Sequence, residues 1–441
     1  MPTTHHELFG VISCEGSAMS HHCFSLALLL ASLAGAAQAG GILVYEAGQP
    51  GSGLANAGAA VAADPSVLMN NPAGLSAVPG TQLSVNGQLI LGDLRFNRSA
   101  GNQFDGNEGG NGLDFMPGSS LFLSHALNER ATVGFGVYGT FGLAVNYDDD
   151  WAGRYFTQEA AVLGLSLQPT YAYRVNDQLA IGFGPQIMYG YFRTEAAIDN
   201  SLLGAGSGPD GQLEYRDSDV GVGLKLGMLY EPTERTRLGL AYSSKVTLEF
   251  EDRPHIEGVT NPLLNGALGQ LAIDRLDVDM EVPQTVLLSL SHRLDEHWTL
   301  LSSLGWQDWS AFGRINVEVD SAGGRTTLAA DRQYQDTWHL SLGTEYQASP
   351  RLRWRAGIGY DTSAVEDEDR TVDNPTGDAW RLATGVSYML DEGLEAHASY
   401  TLVWLGDMDV KQSKSRSGTT LAGSYENSAL HVLGGGLTWR Y

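Results

Sequence analysis

Apolar residues return at every second position through fourteen separate stretches between Thr81 and Tyr441. A period of two is the mark of a β-strand with one apolar face. The last stretch is the clearest: Leu433, Gly435, Leu437, Trp439 and Tyr441 share one face, and Gly434, Gly436, Thr438 and Arg440 share the other. Arg351–Tyr360 follows the same rule, with Leu352, Trp354, Ala356, Ile358 and Tyr360 opposite Arg351, Arg353, Arg355, Gly357 and Gly359. Trp380, Leu382, Val386 and Tyr388, then Leu394, Ala396, Ala398, Tyr400 and Leu402, continue it.

The connections alternate in length. Asn128-Glu129-Arg130, Asn176-Asp177, Pro232-Thr233-Glu234, Asp295-Glu296, Ser349-Pro350 and Asp391-Glu392-Gly393 are short hairpin turns. Long polar segments lie between them, at about 97–118, 142–160, 197–212, 251–272, 311–332, 361–378 and 409–426. Six short turns and seven long loops join fourteen strands, which is the arrangement of an all-β, antiparallel transmembrane barrel. An arginine at mid-depth in lipid costs about 2–4 kcal/mol, so Arg351, Arg353 and Arg355 are expected in the lumen or at the rim. Bacterial barrels keep short turns in the periplasm and long loops outside, and an even strand count then puts both chain ends in the periplasm. A soluble sandwich would pack its apolar faces on each other and needs no such alternation of loop lengths.

Composition fits that wall. Charged residues are only 17% and glycine is 55 of 441, a balance suited to strands packed closely side by side. The net charge of −25 repels nucleic acid, which sets that partner aside. No apolar run after Ala39 reaches the roughly 18–20 residues of a membrane helix. The mean hydropathy of −0.14 understates membrane character, because a barrel strand meets lipid only at alternate residues. Cys14 and Cys23 precede an apolar run, Phe24 to Ala37, that ends in Ala37-Gln38-Ala39. Residues 1–39 read as a secretory signal peptide cut before Gly40, with Met19 as an alternative start. Its amino-terminal part carries His21 and His22 but no lysine or arginine. The mature chain then has no cysteine, which excludes a disulfide framework or a cysteine zinc site.

Residues 40–80 do not alternate. They are rich in alanine and glycine, with Glu46 and Asp64 their only formal charges. So apolar a segment ahead of the first strand is expected inside the lumen, as a plug, with the barrel spanning 81–441. Within it, Asn71-Pro72-Ala73-Gly74 is strong turn chemistry, since proline fixes φ and asparagine caps the turn.

The Ala/Gly-rich mature amino terminus leading into Asn-Pro-Ala resembles the hatch of the FadL family, outer-membrane transporters of long-chain fatty acids and other hydrophobic compounds. The resemblance continues through Asn146-Tyr147-Asp148-Asp149-Asp150-Trp151-Ala152-Gly153, Pro283-Gln284-Thr285, Trp298-Thr299-Leu300 and Trp306-Gln307-Asp308-Trp309-Ser310. Asp336-Thr337-Trp338, Gly357-Ile358-Gly359-Tyr360-Asp361-Thr362-Ser363 and Asp369-Arg370-Thr371 extend it towards the end of the chain. The resemblance implies a fourteen-stranded barrel closed by a hatch, passive diffusion of hydrophobic compounds, and sideways exit where a strand is kinked. It implies no enzyme activity and no cofactor.

Candidate parts follow. Asn71, Pro72, Ala73 and Gly74 are the expected hatch and gating residues. The third strand, punctuated by Gly134, Gly136, Gly139 and Gly142, resembles the family's kinked strand and is the expected lateral exit. Arg193 and Arg314 are candidates for a ligand carboxylate, or for ordinary pairing with loop carboxylates. Leu264, Leu268 and Leu271 form a helical stripe behind Asn261-Pro262, either a landing surface for apolar compounds or a face packed on the rim. The acidic runs Asp148-Asp149-Asp150 and Glu366-Asp367-Glu368-Asp369 read as solvated loop charge, so no metal is assigned. Expected partners are hydrophobic small molecules, outer-membrane lipid and lipopolysaccharide, and the barrel-insertion machinery, which reads a terminal aromatic such as Tyr441. The chain is expected to work as a monomer. An aqueous porin, a lipid hydrolase and a structural or phage-receptor barrel are the competing readings.

Overall fold

Strand β1 (Thr81–Asp93) pairs on one side with β2 (Phe115–Ala126) and on the other with the last strand, β14 (Thr420–Arg440), so the sheet closes on itself. Between them run β3 (Ala131–Asn146), β4 (Glu159–Arg174), β5 (Leu179–Ile198), β6 (Gly211–Thr233), β7 (Thr236–Ser243), β8 (Thr285–Arg293), β9 (Trp298–Gln307), β10 (Thr337–Ser349), β11 (Leu352–Asp361), β12 (Ala379–Met389) and β13 (Leu394–Ser413). Each pairs antiparallel with its neighbours in this order. The result, seen in a computed structural model, is the fourteen-stranded barrel expected from the alternation. The structure describes residues 45–47, 53–58, 64–113, 115–201, 208–271, 273–321, 324–414 and 418–441. The expected leader, with Cys14, Met19 and Cys23, lies outside the described residues.

The faces are inverted relative to a soluble protein. On β5 the outward Ile181, Phe183, Ile187 and Tyr189 are exposed, while the inward Gln186 is buried. On β4 Leu163, Leu165 and Leu167 face out, and Ser166, Gln168 and Thr170 face in. An apolar exterior around a polar lumen is what lipid on the outside requires. Two aromatic belts bound that exterior. Trp338, Trp380 and Trp404 mark the long-loop end, where Trp380 pairs with both Tyr360 and Trp404. Trp298, Trp354 and Tyr388 mark the short-turn end. Along β12, Trp380 and Tyr388 are set apart by about 20 Å of membrane depth, at ~3.3 Å per residue and a ~40° tilt, close to an outer-membrane apolar band. Arg353 and Arg355 share the lumenal face of β11, as the cost of burying them in lipid requires.

Several loop boundaries differ from the sequence expectation. The connection between β7 and β8 was expected at about 251–272 and instead covers Ser244 to Gln284. Within it Val246–Asp252 and Ile273–Val282 leave the barrel and join Arg314–Ser321 and Gly324–Asp331 in a separate four-stranded sheet. The cause is a change of parity: Ala241 is buried in β7, but beyond the Ser244-Lys245 bend it is Val246, Leu248 and Phe250 that are buried. Pro283, which has no donor for a ladder, makes the matching break before β8. The expected loop at about 409–426 is mostly strand, since β13 and β14 run on to Ser413 and from Thr420. This sheet packs with Phe96, Trp151, Phe192, Phe312 and Tyr425 into one apolar cluster across the long-loop end.

Candidate functional site

The described hatch residues lie against the inside of the wall. A helical turn, Val67–Asn70, is followed by a 3-10 turn, Pro72–Ala77. Asn71 stands between them: its Oδ1 accepts from Ala73 N at 3.1 Å, and its Nδ2 donates to Met228 O of β6 at 3.2 Å. Pro72 at the first position costs no hydrogen bond there. The turn fits because two wall residues have no side chain. A Cβ on Gly227 would lie 2.3 Å from Asn71 Oδ1, and one on Gly182 would lie 2.4 Å from Ala73 N. The carbonyls at the end of the helical turn are taken by the wall, Leu68 O by Gln168 Nε2 at 3.1 Å and Met69 O by Lys225 Nζ at 2.7 Å. Asp64 is buried at the start of this segment, where it accepts from Ser66 N at 2.7 Å, and burial raises its pKa.

Above the hatch is a cavity of about 100 Å³. Met69, Asn70 and Asn56 form its floor, Val246 and Val282 of the loop sheet contribute its roof, and Tyr138, Gln186, Lys225, Gln307 and His339 stand in its wall. Its lining is mixed, as suits an amphiphile: valines in the roof and Met69 in the floor, with asparagine, glutamine, lysine and histidine groups converging on them.

The wall is incomplete beside this cavity. β2 pairs with β1 all the way from His125 to Phe115. With β3, however, its ladder runs only from Ala126↔Thr132 to Leu121↔Val137 and then stops. Beyond Val137, β3 keeps its bonds to β4, with a bulge between Gly139 and Phe141. The bulge flips the strand: Tyr138 is buried before it, and Phe141, Leu143 and Val145 after it. Tyr138 OH bonds Gln168, Thr140 Oγ1 lies 2.5 Å from Ser166 Oγ, and Gln186 Nε2 of β5 donates to Thr140 Oγ1 at 3.5 Å, so these polar bonds hold the bulged strand on its β4 side.

The four glycines of the third strand therefore do different things. A Cβ on Gly134 or Gly136 would meet Leu75 or Leu68 of the hatch, at 2.4 and 2.9 Å. Gly139 opens on empty space at the bulge, and Gly142 faces Leu163 and Met116. Arg193 is not in the lumen. It has the parity of the exposed Ile187 and Tyr189 and lies on the outer face, held by Glu159 at 3.2 Å, Glu195 at 3.1 Å and Glu214 at 3.5 Å. The strand's odd residues all point out, so the lumenal position expected for it is corrected. Arg314 opens the loop-sheet strand Arg314–Ser321, and its side chain lies outside the described residues. Leu264 and Leu268 are half-buried on the helix Pro262–Leu271, where Leu268 packs on the loop cluster; Leu263 is the exposed residue, and the side chain of Leu271 lies outside the described residues. Asn261 caps that helix by accepting from Leu263 N at 2.9 Å.

Sequence reasoning missed Lys225 and the buried set His339, Asp361 and Arg381. Lys225 had a signal: it is a cation at the lumenal parity of β6, in register with Gly221, Gly223 and Gly227. Asp361 lay in a recognised motif, but its partners Arg381 and His339 come from strands that only the closed barrel brings beside it. Asp361 accepts from Arg381 Nε at 2.7 Å and faces His339 Nδ1 at 2.7 Å.

Comparison with known proteins agrees with this geometry. A sequence profile of the family described as "Outer membrane protein transport protein (OMPP1/FadL/TodX)" matches residues 30–441. Outer membrane protein P1 of Haemophilus influenzae is 26% identical over 413 residues, covering 85% of this chain and 87% of that one. A protein of Escherichia coli named long-chain fatty acid transport protein is 25% identical over 407 residues, covering 85% and 90%. Among solved structures, a Pseudomonas aeruginosa FadL homologue superposes with a TM-score of 0.81 at 21% identity, covering 91% of this chain and 99% of that one. The Ralstonia pickettii toluene transporter TbuX gives 0.66 at 18% identity, covering 90% and 99%. With the profile spanning the whole barrel, the chain belongs to the outer membrane protein transport family of OMPP1, FadL and TodX.

Proposed function

We propose that the protein carries long-chain fatty acids or related hydrophobic compounds through the outer membrane by passive diffusion, without ATP and without chemistry on the cargo. The observation that carries this reading is the place where the β2–β3 ladder ends at Leu121↔Val137, beside a cavity that touches Tyr138 and Thr140. A compound in that cavity can leave sideways between the two strands into the bilayer. This route keeps an alkyl tail out of water, where each exposed CH₂ would cost about 0.8 kcal/mol. An aqueous porin would offer an open polar channel instead of a lumen occupied by Leu54, Leu68 and Leu75.

In this reading the long loops face outward and both chain ends face the periplasm. Leu264, Leu268 and Leu271, with the exposed Leu263, take up apolar compounds at the loop surface. Asn71, Pro72, Ala73 and Gly74 are the gating turn of the hatch. Gly139 and Gly142 mark the exit, while Gly134 and Gly136 seat the hatch beside it. Lys225 takes the place of Arg193 as the partner for a ligand carboxylate, and Arg314 remains a second candidate from the loop sheet. The carboxylates around Arg193 face lipopolysaccharide, and the strand ending in Trp439-Arg440-Tyr441 is read by the insertion machinery. The barrel works as a monomer.

The test is uptake of labelled oleate and labelled toluene by cells lacking the gene, with and without the protein supplied from a plasmid. Faster uptake of at least one compound in the supplied cells is expected. Equal uptake of both in the two strains would sink the transport reading.

A further inference from the structure

Tyr45 belongs to a short 3-10 turn, Tyr45–Ala47, near the start of the hatch. Its phenol sits in a seat built by four wall strands. The ring lies 4.7 Å from the Arg381 guanidinium and 4.8 Å from the His339 imidazole. Its hydroxyl accepts from Gln307 Nε2 at 2.6 Å and donates towards Asp361 Oδ1 at 3.4 Å. Gln307 comes from β9, His339 from β10, Asp361 from β11 and Arg381 from β12, and all four are buried. Arg381 and His339 both hold Asp361 in place, and His339 Nε2 is buried with no hydrogen-bond partner.

A cation over a ring face, a donor and an acceptor for one hydroxyl, and an imidazole against the ring are together the recognition set for an aromatic alcohol. An alkyl chain uses none of the four polar groups. Tyr45, Gln307 and His339 also line the lumenal cavity, so a compound held there reaches the seat once the Tyr45 side chain leaves it.

We infer that this seat is a subsite for phenolic compounds, and that Tyr45 of the hatch is its resident occupant. The inference rests on the transport reading above and names a class of cargo for it. A phenol arriving from the cavity competes with Tyr45 for Gln307 and Asp361. A hydrocarbon of the same size competes only for the ring face. Because Tyr45 is tethered, its effective concentration at the seat is on the order of millimolar or more, so free phenols bind the closed protein weakly. Their binding displaces the first described turn of the hatch, which couples this cargo to opening.

The full chain in detergent is titrated with p-cresol, toluene and oleate, as the unaltered protein and as Tyr45→Ala, Tyr45→Phe and Tyr45→Ala combined with Gln307→Leu. Tyr45→Ala is expected to bind p-cresol roughly tenfold more tightly than it binds toluene, and roughly tenfold more tightly than the unaltered protein binds p-cresol. Tyr45→Phe falls between the two, and Gln307→Leu removes most of the preference. Equal affinity of Tyr45→Ala for p-cresol and toluene, in a protein that still binds oleate, overturns the inference and leaves the transport reading standing. Absence of oleate, toluene and p-cresol binding by the unaltered protein overturns the transport reading itself.

Discussion

Lys225 carries the one ammonium group among the described residues that line the lumenal cavity, and it is spent on the carbonyl of Met69. A ligand carboxylate would exchange a neutral acceptor for a charged one at that nitrogen. Hydrogen bonds to charged groups are the stronger kind, so Lys225→Met should weaken binding of fatty acids about tenfold to a hundredfold. Binding of toluene should barely change. Displacement of a fluorescent fatty acid from purified protein measures the first, and equal losses for both ligand types would point to a collapsed hatch instead. Asn71 sets the other residue-scale expectation. Gly227→Ala puts a carbon 2.3 Å from Asn71 Oδ1 and cannot be accommodated without moving the hatch turn. The variant should raise ion conductance of single channels in planar bilayers, whereas the milder Asn71→Ala removes one cap, worth about 1 kcal/mol, and should do so less. The hatch turn was legible in the sequence, because Asn-Pro-Ala-Gly chemistry is local. The seat that receives it was not: Gly182 and Gly227 stand among many lumenal glycines, and only the folded wall tells which two meet the turn.

At the scale of elements, the third strand combines two tasks that its sequence pattern runs together. Gly134 and Gly136 let Leu68 and Leu75 of the hatch approach the wall, and the bulge after Gly139 turns the upper half of the strand away from β2. The glycines signalled an irregular strand, but a bulge is a property of pairing, and its position depends on where the partner ladder stops. Arg193 failed for a related reason. Its lumenal placement needed the strand's register to one residue, and an error of one moves a side chain to the opposite face. The outer loops supply an element-scale test. Lys414 Nζ donates to Tyr155 O at 2.5 Å and lies 4.9 Å from the Phe156 ring, joining the β13–β14 connection to the β3–β4 loop. Beside it Arg154 pairs with Asp210 at 2.8 Å. Burial lowers the Lys414 pKa from 10.5 to about 8. Between those values the opened loop binds a proton that the closed loop does not, so closure gains stability as pH rises from about 8 towards 10.5. A spin label at Ser413 should therefore lose mobility over that interval, and Lys414→Met should flatten the response.

For the whole molecule, the fourteen strands, the inverted faces and the lumenal plug were readable from alternation, turn lengths and one non-alternating segment. What alternation could not reveal was that part of the apparent wall leaves it, since Val246–Asp252 and Ile273–Val282 keep a strand's pattern while forming a separate sheet over the lumen. The molecule is thus a barrel with a floor, a roof and a gap on one side, and the central claim is that cargo leaves through the gap. Met116 and Gly142 face each other across it, with the Met116 sulfur 3.7 Å from where a Cβ on Gly142 would stand. Cysteines in place of both can be bridged by a short thiol cross-linker, because the only native cysteines, Cys14 and Cys23, precede the barrel. The decisive measurement is oleate uptake by cells carrying Met116→Cys with Gly142→Cys, before bridging, after it, and after release by a reductant. Uptake that falls to the level of cells lacking the protein and returns on reduction is the predicted result; uptake unchanged by a bridge that has demonstrably formed would contradict lateral exit.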